Sequence, residues 1–265
     1  MTHAGKAMSN TTNVDFKLEV PPPPPPPVEL APEMPIAVAS QVYARVGRVH
    51  IPMVFRQNVA DSIFQRLLNA VPWRLSFNEA GEHREILGEN IKRMGEDAYR
   101  EFLEVVARRG RSGFQYIYRS YPLYDQFTTA RAGGEPYLMQ LIEFLNSGVF
   151  LAAMRRVTGD DSIEIVDANA TLYEPGHFLT RHDDDIVGKN RVAAYVLNLT
   201  PLWLSDWGGI LTFHDKDGHV SEGYVPTFNA LNVFRVPQMH AVSYVSPLAG
   251  AGRYSIAGWL RRRAA

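Results

Sequence analysis

The 265-residue chain contains no cysteine. That absence excludes disulfides, thiol nucleophiles, iron–sulfur clusters and thiolate-bound zinc. Any metal must be held by nitrogen and oxygen donors. The chain also lacks charge of one sign, with 27 basic and 28 acidic residues and a formal net charge of -1. A nucleic-acid partner gripped through overall charge is therefore not expected. No apolar run approaches the ~20 residues that span a bilayer. The opening MTHAGKAMSN has no apolar segment of the secretory type, so no membrane association and a cytoplasmic location are expected. There is no glycine-rich phosphate loop and no internal repeat.

What is present begins with proline. Residues 21–27 are seven consecutive prolines, which predict a stiff polyproline II rod. The twenty residues before the run are polar and lack clear periodicity. Residues 1–47 read as a disordered proline-rich tail or linker, and 48–265 as a single domain. A proline rod is also a ligand for an aromatic groove on a partner.

Within the domain the texture changes near residue 160. In 48–160 the pattern is mostly helical. Val59, Ile63, Phe64, Leu67 and Leu68 form an apolar stripe over Asn58–Val71, ended by Pro72. Asn90–Arg109 predicts a second helix, closed by Gly110. Tyr137–Val157 predicts one buried helix or two abutting ones. From 161 to 265 the segments are short, β-branched and aromatic. Strands are predicted at Ile163–Tyr173, Arg191–Leu199, Gly209–His214, Gly223–Val225, Ala230–Arg235, His240–Val245 and Tyr254–Arg261. Asp217-Gly218 reads as a hairpin turn. The fold class is α+β: a sandwich or jelly roll of many short strands, with the helices on one sheet face.

Metal chemistry then falls to His, Asp and Glu. His182 and Asp184 stand two apart, so an extended segment would point both to one side. His240 opens a later strand, and Arg253 precedes Ser255 by two in another. Two histidines and a carboxylate are the facial triad of non-heme Fe(II) oxygenases, leaving positions for a 2-oxo acid and dioxygen. A 2-oxoglutarate co-substrate needs a cation for its distal carboxylate, and arginine suits this because its planar fork binds in a bidentate manner and keeps its charge. Singly these residues are ordinary. The Asp183–Asp185 run also fits a solvated turn, and His214 and His219 fit a hairpin tip.

The ordered set resembles the catalytic core of the 2-oxoglutarate- and Fe(II)-dependent dioxygenases, in the prolyl 4-hydroxylase-like branch. The matching stretches are Tyr173-Glu-Pro-Gly-His-Phe-Leu179, His182-Asp-Asp184, Arg191–Leu199, Trp207-Gly-Gly-Ile-Leu-Thr-Phe213, Pro226-Thr-Phe-Asn229, Phe234, His240 and Arg253-Tyr-Ser255. The resemblance implies a double-stranded β-helix core with N-terminal supporting helices. It implies iron at His182, Asp184 and His240, and 2-oxoglutarate at Arg253, assisted by Ser255 and Tyr173, with Tyr195 a second tyrosine candidate. It further implies dioxygen, and ascorbate as an accessory reductant.

Arg191 sits where some relatives contact peptide substrate and fits a surface salt bridge equally well, and His177 either lines the site or packs near it. The aromatic series Phe114, Tyr116 and Tyr118 alternates like a half-buried strand and fits a groove wall or the core. The implied activity is hydroxylation of a prolyl residue in a protein or peptide. A free amino acid or small metabolite is the alternative substrate. A non-catalytic jelly-roll binding module is the alternative of another class.

Overall fold

Gly47 ends a helix that the proline-rich flank conceals. In the computed structural model, which describes residues 24–129 and 134–263, α1 (Ile36–Val46) buries Ala39 and Tyr43. Gly47 closes it at φ +74°, its N–H donating to the Tyr43 carbonyl at 2.7 Å. Ala31 and Met34 are buried as well, and Leu30 bridges to Phe55. The tail expected over 1–47 is thus corrected. At least residues 30–47 belong to the folded unit, because Ala39 and Tyr43 at i, i+4 supply an apolar stripe. Residues 1–23, with the first three prolines of the run, lie outside the described residues.

The next elements are β1 (Arg48–Ile51), α2 (Gln57–Asn69), β2 (Arg74–Glu79), β3 (Glu82–Leu87), α3 (Gly88–Met94) and α4 (Glu96–Arg109). Then come β4 (Tyr116–Tyr121), α5 (Leu123–Thr128), α6 (Pro136–Leu145) and α7 (Gly148–Thr158). The helix expected over 90–109 is two, split at Gly95 with φ +79°. The segment 137–157 is also two helices. Ser147 caps the second, its Oγ accepting from the Phe150 N–H. The hairpin β2–β3 was not expected. β3 is polar and mostly exposed, so its strand state comes from pairing with β2 and not from an alternating apolar pattern.

The remaining strands are β5 (Ile165–Val166), β6 (Asn169–Tyr173), β7 (Phe178–His182), β8 (Arg191–Asn198), β9 (Leu211–His214), β10 (Val220–Tyr224), β11 (Ala230–Arg235), β12 (His240–Val242) and β13 (Arg253–Arg261). Together with β1 and β4, all of these but β5, which pairs with β13 off the path, form one continuous antiparallel path: β1-β11-β8-β13-β6-β4-β7-β12-β9-β10. Its two ends face each other across a seam, where Arg48 pairs with Glu222 and the His50 ring lies 5.7 Å from Tyr224. The result is a nearly closed jelly roll. The division expected at residue 160 does not hold, since β1 pairs with β11 and β4 lies between β6 and β7.

Alternation along β8 sets the layers. Ala193, Tyr195 and Leu197 face α1, α2, α6 and α7 in the main core. Ala194 and Val196 face inward with Leu211, Phe213 and Phe234. Helices α3 and α4 close a separate small core over β2, β4 and β7. The Trp207-Gly-Gly signature makes the tight turn and close packing its glycines suggest. Gly208 has φ +71°, and a Cβ there would come within 2.0 Å of the Tyr244 carbonyl oxygen.

Candidate metal and co-substrate site

Strand β7 ends on His182 and β12 begins on His240, and these two residues pair directly across the ladder. Their ring centroids lie 4.1 Å apart. Each Nδ1 faces a main-chain carbonyl: His182 that of Thr180 at 3.0 Å, His240 that of Gln238 at 2.7 Å. A carbonyl only accepts, so each Nδ1 carries the proton and each Nε2 keeps its lone pair. Both Nε2 atoms point at one carboxylate, at 3.4 Å and 3.5 Å from the two Asp184 oxygens. One ligand atom from each residue lies within 4.8 Å of the others.

Extended alternation does not bring Asp184 into place. The strand stops at His182, and Asp184 turns inward at φ +65°, a left-handed conformation that Asp tolerates better than most side chains. Burial raises its pKa, but the His182 and His240 rings that face it, whenever they carry a proton on Nε2, bring it below the usual carboxylate range. The His240 imidazole is pushed down to about 4, chiefly by burial and then by His182. Both shifts favour deprotonated donors. Two imidazole nitrogens and one carboxylate, with no sulfur, suit Fe(II) with open positions.

Arg253, at the start of β13, is 1% exposed. Its Nε and Nη2 are buried without a hydrogen-bond partner among the described residues. The guanidinium lies 5.1 Å from the Tyr173 ring centroid, and Tyr173 stacks on Tyr118 at 4.9 Å. Ser255 shares a 2.7 Å hydrogen bond with Thr171. These residues and the triad line one cavity of about 100 Å³. A buried guanidinium with free N–H groups beside an open metal site fits a dicarboxylic 2-oxo acid bound through both ends.

The other candidates divide. Arg191 opens β8, stacks over Trp259 at 3.5 Å and donates from Nη1 to the Asp184 carbonyl at 3.0 Å. Tyr195 faces the helical layer, its hydroxyl donating to the Asp167 carbonyl at 2.9 Å. His177 does not line the cavity, and that reading is corrected. It is fully buried in the turn between β6 and β7, hydrogen-bonded to the Tyr99 hydroxyl and to the Glu174 N–H, each at 3.0 Å. Burial, and then the charge of Arg119, pushes its pKa down to about 3. The series Phe114, Tyr116 and Tyr118 leads into β4, from the exposed Phe114 ring 5.5 Å from His182, just before the strand, to the stacked pair at Tyr173.

Fold and site together define a jelly-roll core with a two-histidine, one-carboxylate cluster able to hold a metal. Residues 168–261 match the family model of the 2OG-Fe(II) oxygenase superfamily. A mouse protein, prolyl 3-hydroxylase OGFOD1, is 32% identical over 132 residues. That match covers 47% of this chain and 24% of the relative, so the chain spans about a quarter of that protein's length. A solved 2OG-Fe(II) oxygenase family oxidoreductase from Burkholderia pseudomallei has a TM-score of 0.57 at 15% identity, covering 87% of this chain and 92% of its own. The carbocyclase SnoK from nogalamycin biosynthesis has a TM-score of 0.50 at 11% identity, covering 83% and 81%. The fold is therefore shared by enzymes of different named activities and does not by itself set the substrate.

Proposed function

We propose that this protein is an Fe(II)- and 2-oxoglutarate-dependent dioxygenase that hydroxylates a prolyl residue of a protein or peptide. The observation that carries it is the unpartnered Arg253 guanidinium lining the same small cavity as His182, Asp184 and His240. Bound iron would couple oxidative decarboxylation of 2-oxoglutarate, to succinate and carbon dioxide, to insertion of one oxygen atom into a C–H bond. The chain's own residues bind and orient. The triad offers three protein ligands, and Arg253, with Ser255 and Tyr173, receives the far carboxylate. Tyr118, Leu211 and Phe234 help wall the cavity against water. Arg191 is proposed to border the substrate as well as to hold Asp184. The prolyl substrate is favoured by the similarity to the mouse prolyl 3-hydroxylase. Its place of action is proposed to be the cytoplasm.

The test supplies Fe(II), 2-oxoglutarate and ascorbate with a proline-rich proteome digest and searches for a gain of one oxygen on proline. Oxidised proline supports the reading, and His182→Ala should abolish it. Succinate formation with free amino acids or metabolites as the only oxidised products would move the substrate to that class. No 2-oxoglutarate consumption under any condition would leave a binding module.

A further inference from the structure

We propose that a trench on the outer face of β7, β12, β9 and β10 docks an acidic segment of the protein substrate, a few residues from the one hydroxylated. This rests on the hydroxylase reading and adds to it a second, separate binding surface. The trench has a volume of about 1080 Å³. Its floor is made of the outward members of strands whose inward members line the metal cavity. Thr212 and Ala241, which pair across β9 and β12, line the trench, while Leu211 lines the metal cavity and Val242 borders both. These floor residues are small, so a main chain can approach closely.

Exposed aromatic rings stand at both ends. Phe114 is 49% exposed beside the His182 ring, and Tyr244 is 52% exposed and stacked on Phe178. Exposed apolar side chains grouped in a concave surface mark an interaction site. The main helical layer packs on the outer face of β8, β11 and β13, on the other side of the roll.

Charge names the occupant. Arg111, Arg181 and Lys216 line the trench, and none makes a salt bridge among the described residues. The lining carboxylate, Asp215, already accepts from the N–H groups of Asp217 and His219 through Oδ1. The surface is therefore apolar at its ends and cationic along its rim, which is complementary to a peptide that mixes acidic and apolar side chains.

Position ties that peptide to the reaction. Arg181 adjoins the ligand His182 in sequence, Met239 adjoins His240, and both line the trench. From His182 to Phe178 the strand runs about 13 Å at ~3.3 Å per residue. About four extended residues cover that span, so the acidic determinant falls within roughly four to eight residues of the target.

The probe is a fluorescein-labelled 16-residue peptide holding one proline, four leucines and a glutamate cluster. Its partner is the same peptide with lysine for glutamate. Binding to the full chain is followed by anisotropy without metal or 2-oxoglutarate, so the result does not depend on turnover. The glutamate peptide should bind at least ~10-fold more tightly than the lysine one at low salt, and lose that preference as salt rises. Combining Arg181→Glu with Lys216→Glu should remove the preference, with thermal melting showing that the fold persists. Ala241→Arg should block the floor and weaken the same peptide. Equal binding of the two peptides, or an unchanged preference in the charge-reversed variant, overturns the proposal. So does a single-stranded oligonucleotide that displaces the glutamate peptide at lower concentration. If the acidic preference is present and no peptide is ever hydroxylated, the hydroxylase reading alone fails. If peptides are hydroxylated without charge preference, the docking proposal alone fails.

Discussion

The Arg191 guanidinium lies 3.5 Å over the Trp259 ring while its Nη1 donates to the Asp184 carbonyl at 3.0 Å. The same nitrogen is 3.7 Å from Asp184 Oδ1. A planar cation held against an aromatic face thus pins the main chain and the side chain of a left-handed ligand. Arg191→Ala should weaken Mn(II) binding by ~10–100-fold, the usual effect of losing a group that orients a metal ligand. Arg191→Lys keeps the charge but not the flat stack, and should fall between. Electron paramagnetic resonance of free Mn(II) reads both. Wild-type affinity in Arg191→Ala would break the link.

Arg253 should act on co-substrate binding far more than on the metal. Arg253→Ala should raise the KM for 2-oxoglutarate by ~30-fold or more, the scale of truncating one partner of a buried charge pair. Mn(II) affinity should change little. A KM within twofold of wild type would remove Arg253 from the site.

His177 sets an acid dependence. Its imidazole titrates near 3 in the fold and near 6.5 when unfolded. Between those values the unfolded chain binds a proton that the folded chain does not, so stability is complete above pH 6.5 and falls as pH drops toward 3. From pH 7 to 5 this group should cost about 2 kcal/mol. His177→Gln should be less stable at pH 7 but lose about 2 kcal/mol less on going to pH 5. Urea unfolding at both pH values measures this, and an equal loss in both proteins would contradict it.

The folded boundary is also open to test. A chain starting at residue 48 loses α1, and with it the buried Ala39 and Tyr43 and the packing of that helix on α7. Burying one large side chain contributes about 1.5–3 kcal/mol, so that chain should unfold several degrees below one starting at residue 28. Equal melting temperatures would restore the linker reading.

Where sequence and structure agree, a local signal and a long-range contact point the same way. The strands β8, β11 and β13 are long, apolar and flanked by turns, and all three were legible. The three residues that the structure brings within 4.8 Å of one another were picked out too, by the His-x-Asp spacing and the resemblance of the ordered set. The geometry was not. β7 carries His182 yet reads Phe-Leu-Thr-Arg-His with no clean alternation, since a bulge interrupts its pairing with β12. The inward turn at Asp184 is held by a contact with Arg191, seven residues on, that no local pattern announces. Helix α1 was hidden behind prolines that act only on their own neighbours, and His177 found its partner in Tyr99, far away in sequence.

The lone guanidinium of Arg253 has a consequence beyond binding. Burying a cation with no partner is unfavourable, and burial already depresses its pKa. The chain therefore folds around a deficit that a dicarboxylate removes on arrival. At a hundred times its Kd such a ligand adds about 2.7 kcal/mol to the folded state. Occupancy of the site by a dicarboxylate would thus be read directly as thermal stability, with melting temperature rising as the ligand is added.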